Sequence, residues 1–428
     1  MMVETIITDI PGQHLLTDSF GFYHLITNPT DIGLTAVVEL HNDTILERTQ
    51  DYLHSVLIGD GKIPHCPFVA AIEAGNGYYV CEFGQRDPPI AQVISILESE
   101  FRAHSPHPTH QRQNVDITSV VATFSHPAAS TSGFCRSLDA ARDKYRQRIL
   151  DRGLMMSQMH PFHPGGHASA AKLGSSKRSD ELYRAAIPLL IVRRMHQEDL
   201  VFMRTPEEIA TYASFFPIGD ATLYRYNERL AAQFRQHPFF VYAASPEFQQ
   251  EGAQQAFMSI MLYLSRKYQS ILSLREQYAD DKNYQTVFAK HFNEERGHDA
   301  DLAEDIRRIY GRVDELDNGQ TGKALDKALS YFSERMVDGS DAERLLLSLT
   351  VMEGAAAEFY RIMAPLVRLD TSHFRDHDDA DGKHYLMGKS LLEGLSAEEY
   401  AQLLLAQREG YRRMQSFFDI ALVTMQSG

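Results

Sequence analysis

Acidic and imidazole side chains recur at helical spacing in the last third of the chain. The stretch His291-Phe292-Asn293-Glu294-Glu295-Arg296-Gly297-His298 sets His291, Glu295 and His298 four and three residues apart, on one face of a helix. Phe288, Phe292, Glu295, Asp299, Leu302, Ile306 and Ile309 follow the same steps, so the acids sit inside an apolar stripe that faces a core. A carboxylate buried beside histidines is costly unless it is paired or holds a metal. A second carboxylate, Glu353, falls within the stripe Leu349, Met352, Ala356, Phe359 and Met363. Glu358 lies about 140° around that helix and is expected in solvent or a salt bridge. The small residues Gly354, Ala355 and Ala356 leave room for a cofactor or substrate, or else for close helix packing. His377, Asp381 and His384, at i, i+4 and i+7, share a third face with Phe374, Gly388 and Leu391.

Glu295, His298, Glu353, His377, Asp381 and His384 are hard and borderline donors that suit Fe(II), Mn(II) or a pair of irons, and no cysteine accompanies them to suggest structural zinc. His291 is a ligand, an outer partner or a mere neighbour, and Glu294 competes with Glu295 as the carboxylate. Met258, Met261, Phe359 and Tyr360 are candidate pocket lining. The competing reading is a hydrogen-bonded network without metal, but six such residues on three inward faces would each need their own compensation.

Helices must position these groups, and from about residue 205 helical periodicity dominates. Expected helices cover 206–215, 223–236, 246–277, 283–310, 322–336, 341–369, 372–394 and 396–425. Ser396 followed by Glu399 reads as a capping box. Residues 206–428 are therefore expected to form an all-α bundle, a scaffold that often builds metal sites from inward-facing side chains. Residues 1–205 read as a separate α+β domain. Its expected parts are a strand near 34–40, a helix at 42–56, and a hairpin of 67–72 with 77–83 turned by Gly75-Asn76-Gly77. A helix near 90–101, a strand near 115–124 and a helix near 138–151 follow. The Gly-, Ser- and His-rich stretch 159–180 reads as a loop. His65, His160, His163 and His167 would form a second site only if the fold gathered them, and turn or surface histidines are the favoured reading.

The formal charge of -15 argues against nucleic acid or an anionic membrane as partner. Cys66, Cys81 and Cys135 form no CxxC pair, which with the lack of a basic, then apolar N-terminal segment points to a reducing cytoplasm. The longest apolar run, 185–192, is too short to span a bilayer.

Glu295-Arg296-Gly297-His298, then Glu353, then His377, Asp381 and His384, resemble in order and spacing the haem-oxygenase-like non-haem di-iron oxidases and oxygenases, over roughly residues 222–425. The resemblance implies a haem-oxygenase-like helical bundle with two irons per chain, manganese being the alternative, held by those six residues. It implies O2-dependent oxidation of a small amine, amino acid or carboxylic acid, by N-oxygenation, hydroxylation or oxidative C–C cleavage, with an external electron donor. Some members carry a Glu seven residues before the ligand His, where this chain has His291. The alternative is a haem-oxygenase-like ligand-binding or interaction protein without redox chemistry. A thiaminase-like hydrolase would want a nucleophilic cysteine in the bundle, and all three cysteines precede it. The N-terminal domain lies outside the resemblance, with gating, dimerisation or partner binding as its candidate roles, and a homodimer is expected.

Overall fold

The computed structural model describes residues 4–6, 15–17, 23–25, 78–83, 89–104, 119–124, 126–162, 185, 187–312, 316, 319–367 and 384–427. The chain divides into two compact units, Met1–Met203 with Ser214–Phe216, and Arg204–Ala213 with Pro217–Gly428. Among the described residues no helix is long and apolar enough to cross a membrane.

The first unit is α+β. Its seven-stranded sheet comprises β1 (Glu4–Ile6), β2 (Leu15–Thr17), β3 (Tyr23–Leu25), β4 (Tyr78–Phe83), β5 (Ser119–Phe124), β6 (Leu154–Met159) and β7 (Leu189–Arg194), in the order β1-β2-β3-β4-β5-β7-β6. Only β4 and β5 run parallel, and α1 (Ile90–His104) makes the crossover between them that a parallel pair requires. A second helix, α2 (Ser132–Leu150), leads from β5 to β6. Among the described strands β4 lies between β3 and β5; the hairpin partner expected at 67–72 lies outside the described residues, as do 34–40 and 42–56. Strands β6 and β7 escaped the sequence reading. Every residue of Leu189–Arg193 is buried, so the run lacks the alternation that marks a half-exposed strand. Phe83, Ile94, Leu97, Val120, Phe124 and Leu138 anchor the core between sheet and helices.

The second unit is helical throughout its described residues. Its helices are α3 (Pro206–Phe215), α4 (Asp220–Phe234), α5 (Pro238–Ala243), α6 (Glu251–Tyr278), α7 (Lys282–Glu295), α8 (His298–Tyr310), α9 (Gln320–Asp338), α10 (Asp341–Leu345), α11 (Glu353–Met363) and α12 (Ala397–Ser427). Leu346–Met352 joins α10 to α11 as a π-helical segment. The capping box forms: the Ser396 amide donates to Glu399 Oε2 (2.8 Å) and the Glu399 amide to Ser396 Oγ (3.2 Å). A knot of rings fixes α5 and α11 against α12, with Phe418 at 4.8 Å from Phe239 and 5.4 Å from Phe359.

Three expected helices are broken; in the one expected over 372–394, the described residues show Gly388 at φ 74° followed by a short 3-10 turn at Lys389–Leu392. The one expected over 246–277 begins instead at Glu251, after a short turn at Glu247–Gln249. The one expected over 283–310 stops at Glu295, and a second starts at His298. Arg296 turns to the extended region and Gly297 adopts φ 96°, a left-handed conformation that a side chain disfavours. Within α8, Leu302 and Ile306 are buried as expected, whereas Ile309, expected on the same stripe near the helix end, is exposed.

Gly354 packs closely, where an added Cβ would sit 2.8 Å from Asn227 Nδ2 and 3.3 Å from both Tyr385 Cδ2 and Tyr411 Oη. Gly354→Ala should therefore lower the stability of the helical unit by about 1–3 kcal/mol, by overpacking. Urea denaturation followed by circular dichroism measures this, and an unchanged midpoint would contradict the packing.

Candidate metal centre

Four buried side chains from three stretches of the helical unit converge: His291 and Glu295 from α7, Glu353 from the first turn of α11, and His384. One donor atom from each lies within 4.8 Å of all the others. Helix α7 delivers its pair because Phe288, His291 and Glu295, at i, i+3 and i+7, are its buried face. Glu353 ends the π-helical segment, a winding often found at functional sites.

The polar contacts of the cluster are extensive. His291 Nε2 is 3.0 Å from Glu353 Oε1, which also accepts from the Tyr268 hydroxyl. His384 Nδ1 is 3.2 Å from Glu295 Oε1 and 3.6 Å from Glu353 Oε2, yet this buried nitrogen makes no hydrogen bond. On its other side, His384 Nε2 is 3.2 Å from Glu294 Oε2. Arg275, from α6, is completely buried: it donates to Ser348 Oγ (2.8 Å) and the Phe288 carbonyl (3.1 Å), and sits 3.2 Å from His291 Nδ1. Gln269 donates to the Glu295 carbonyl at 2.7 Å, holding the end of α7 where it breaks.

Burial opposes each of these charges, and the partners oppose burial. Burial would raise the Glu353 carboxyl, but its contacts with His291 and His384 hold it below the usual value. Burial would likewise lower His384, but Glu295 and Glu353 hold it up at about 10. Burial brings Arg275 down to about 10, and burial with Glu353 beside it pushes the Tyr268 phenol well above its ordinary range. Without metal, the His384 imidazolium is thus the cation that the two carboxylates require. A buried imidazole nitrogen facing two buried carboxylates, without a hydrogen bond, is a geometry that a proton or a metal ion satisfies. The donor set of carboxylate oxygens and imidazole nitrogens fits a divalent transition metal.

Not every expected ligand joins the cluster. His298 stands at the start of α8, 29% exposed, and its Nδ1 lies 3.0 Å from Glu295 Oε2, a contact that raises its pKa. The helix break takes it off the α7 face, so it meets the carboxylate from the side. Glu294 is 41% exposed and lies behind His384 rather than among the donors. His377 and Asp381 lie outside the described residues. Glu358 pairs with Arg361 at 2.5 Å and Arg235 at 3.5 Å.

A cavity of about 680 Å³, its open mouth included, adjoins the cluster and touches Glu295, His298 and Glu353. Its wall includes Met261, Phe359 and Tyr360, as expected of pocket residues, together with Tyr268, Met352 and Phe418. Met258, completely buried on α6, is not among its lining residues. Of the small residues beside Glu353, Ala355 and Ala356 line the cavity and Gly354 serves packing. Sequence reasoning missed Tyr268, Arg275 and Ser348 entirely. Of the four histidines singled out in the first unit, His160 is buried 3.1 Å from Asp139, and His65, His163 and His167 lie outside the described residues.

The raised His384 pKa has a definite sign. Its folded value of about 10 exceeds the ordinary 6.5, so its contribution to metal-free stability is complete below pH 6.5 and is lost as pH rises through 10. A metal must displace that proton, so binding near pH 8 should release about one proton per chain. Calorimetry of Zn2+ binding in buffers of different ionisation enthalpy reads the release. A metal-free urea midpoint that stays flat from pH 6.5 to 10 would contradict the assignment.

A model of a domain of unknown function (DUF6875) matches residues 44–237. The chain is 24% identical over 194 residues to the uncharacterized protein RP592 of Rickettsia prowazekii (strain Madrid E), a span covering 45% of this chain and 89% of that relative. Neither description carries an activity, and the family match ends before the first residue of the buried cluster.

Proposed function

We propose that the helical unit is a haem-oxygenase-like bundle that holds a divalent transition metal, iron foremost and manganese as the alternative, and oxidises a small molecule with O2. The observation that carries this reading is the His384 nitrogen, buried without a hydrogen bond in front of Glu295 and Glu353. Carboxylate oxygens with imidazole nitrogens favour Fe(II) and Mn(II), and residues 204–428 contain no cysteine that would favour a thiolate metal site. Glu295, Glu353 and His384 would hold the ion. His298, at the cavity wall, is the nearest further imidazole, and His377 and Asp381 precede His384 in the chain as donors for a second iron.

Bound there, the metal would supply the one-electron chemistry with O2 that amino-acid side chains lack. The chain's own residues do the rest. Met261, Phe359 and Phe418 give the cavity an apolar wall, and Glu295, Glu353 and His298 give it one polar side that would orient a substrate's amine or acid group. Tyr268, itself on the cavity wall, donates to Glu353 Oε1 and would fix the orientation of that carboxylate. Electrons come from an external donor. The order of the expected donors along the chain, Glu295, His298, Glu353, His377, Asp381 and His384, supports the family reading.

Anaerobic loading with Fe(II), followed by elemental analysis, tests the proposal. About one or two irons per chain are expected in the wild type, with loss in Glu353→Ala and in His384→Ala, and O2 uptake that depends on the bound iron. Iron below one per chain, indifferent to both substitutions, would instead favour a metal-free hydrogen-bonded network.

A further inference from the structure

We propose that the two buried histidines are given opposite roles by the groups behind them: His384 binds the metal through Nδ1, positioned by Glu294, while Arg275 holds His291 off the metal as a proton donor to Glu353. This rests on the metal-binding reading above. It assigns Glu294 and Arg275 as positioning residues and removes His291 from the ligand set.

The assignment follows from which groups can accept. A guanidinium carries only donors. Arg275 is completely buried and lies over the Phe288 ring at 4.5 Å, with Nη2 donating to the Phe288 carbonyl. Its Nη1 donates to Ser348 Oγ, whose own proton goes to the Arg344 carbonyl at 2.7 Å. The serine therefore accepts from Arg275 and has no second proton to offer. The remaining Nη1 contact is His291 Nδ1 at 3.2 Å, which must present its lone pair. A neutral His291 then carries its proton on Nε2, 3.0 Å from Glu353 Oε1, and donates it there. For a metal to take Nε2, that proton would have to move to Nδ1, where it would meet a guanidinium N–H head on.

His384 has the reverse arrangement. A metal-bound histidine ordinarily donates its outer N–H to a carboxylate, a carbonyl or water, which fixes the ring and raises the basicity of the ligating nitrogen. His384 Nε2 faces the Glu294 carboxylate at 3.2 Å, and Nδ1 faces Glu295 and Glu353. The two rings stand at 82° to one another with centroids 4.7 Å apart, and what separates them is the group behind each, a guanidinium for His291 and a carboxylate for His384.

Histidine-selective 15N NMR of the full chain distinguishes the two roles, because the two imidazole nitrogens shift differently with tautomer and with metal. Zn2+ serves as the diamagnetic probe, and His291→Gln and His384→Gln assign the signals. The expected result is a His291 Nε2–H signature that survives Zn2+ and a His384 Nδ1 resonance that moves. In Kd, His291→Gln, which keeps a donor to Glu353, should stay within about threefold of wild type, whereas Glu294→Ala should weaken binding by about 10–100-fold. Glu294 is at the surface, so that variant should fold. Loss of the His291 Nε2 proton on adding Zn2+, a hundredfold loss in His291→Gln, or unchanged affinity in Glu294→Ala would each overturn this inference while leaving a metal site in place. If the wild type binds no Zn2+ and no imidazole resonance moves, the metal-binding reading itself fails.

Discussion

Two carboxylates and one guanidinium share a pocket from which water is almost excluded. Glu295 and Glu353 are 3% and 2% exposed, and Arg275 is not exposed at all. Removing charges from water costs several kcal/mol per ion even after relaxation, so such a group persists only when attraction and hydrogen bonds offset that loss. One guanidinium leaves one negative charge over, and the site has to balance it with an imidazolium or a metal ion. Much of the local architecture serves this requirement. The Tyr268 phenol and the His291 imidazole serve Glu353, the Gln269 amide holds the backbone end of the helix that carries Glu295, and Ser348 and the Phe288 carbonyl keep Arg275 in place.

The sequence showed the acids and His384 because buried polar residues violate an otherwise apolar periodicity. Glu295 and Glu353 stand out from their stripes in that way. Arg275 and Tyr268 do not. An arginine in the last turn of a long helix reads as a solvated residue facing the helix dipole, and a tyrosine on an amphipathic helix needs no special account. Their roles come from contacts with residues 16 and 85 positions away, which local spacing cannot encode. The break at Gly297 was hidden for the opposite reason: the hydrophobic pattern continues across it, and a lone glycine is tolerated within a helix. The α+β character of the first unit was readable, but strand partners were not. The Gly75-Asn76-Gly77 turn favours a local hairpin, whereas β4 takes its neighbours from 23–25 and 119–124.

The helix break separates two kinds of group around Glu295. On the α7 side the contacts are buried and enclosed, while from α8 His298 approaches partly exposed and at the cavity wall. Glu295 thus touches both the enclosed cluster and the space a ligand would enter. Its two oxygens divide accordingly, Oε1 toward His384 and Oε2 toward His298.

The π-helical segment Leu346–Met352 sets the angular phase of this pocket. Ser348 and Glu353 are five residues apart, which in an α-helix would point them about 140° from each other. A winding closed by i→i+5 bonds brings residues at that separation onto one side, and here both reach the same neighbours: Ser348 holds Arg275, and the Tyr268 hydroxyl touches the Ser348 carbonyl and the Glu353 carboxylate. The widened turn acts as a one-residue spacer that rotates one wall of the site into alignment with another. Because every residue of the segment is buried, its winding ties the packing of the core to the aim of Glu353, and deleting one residue would disturb both together.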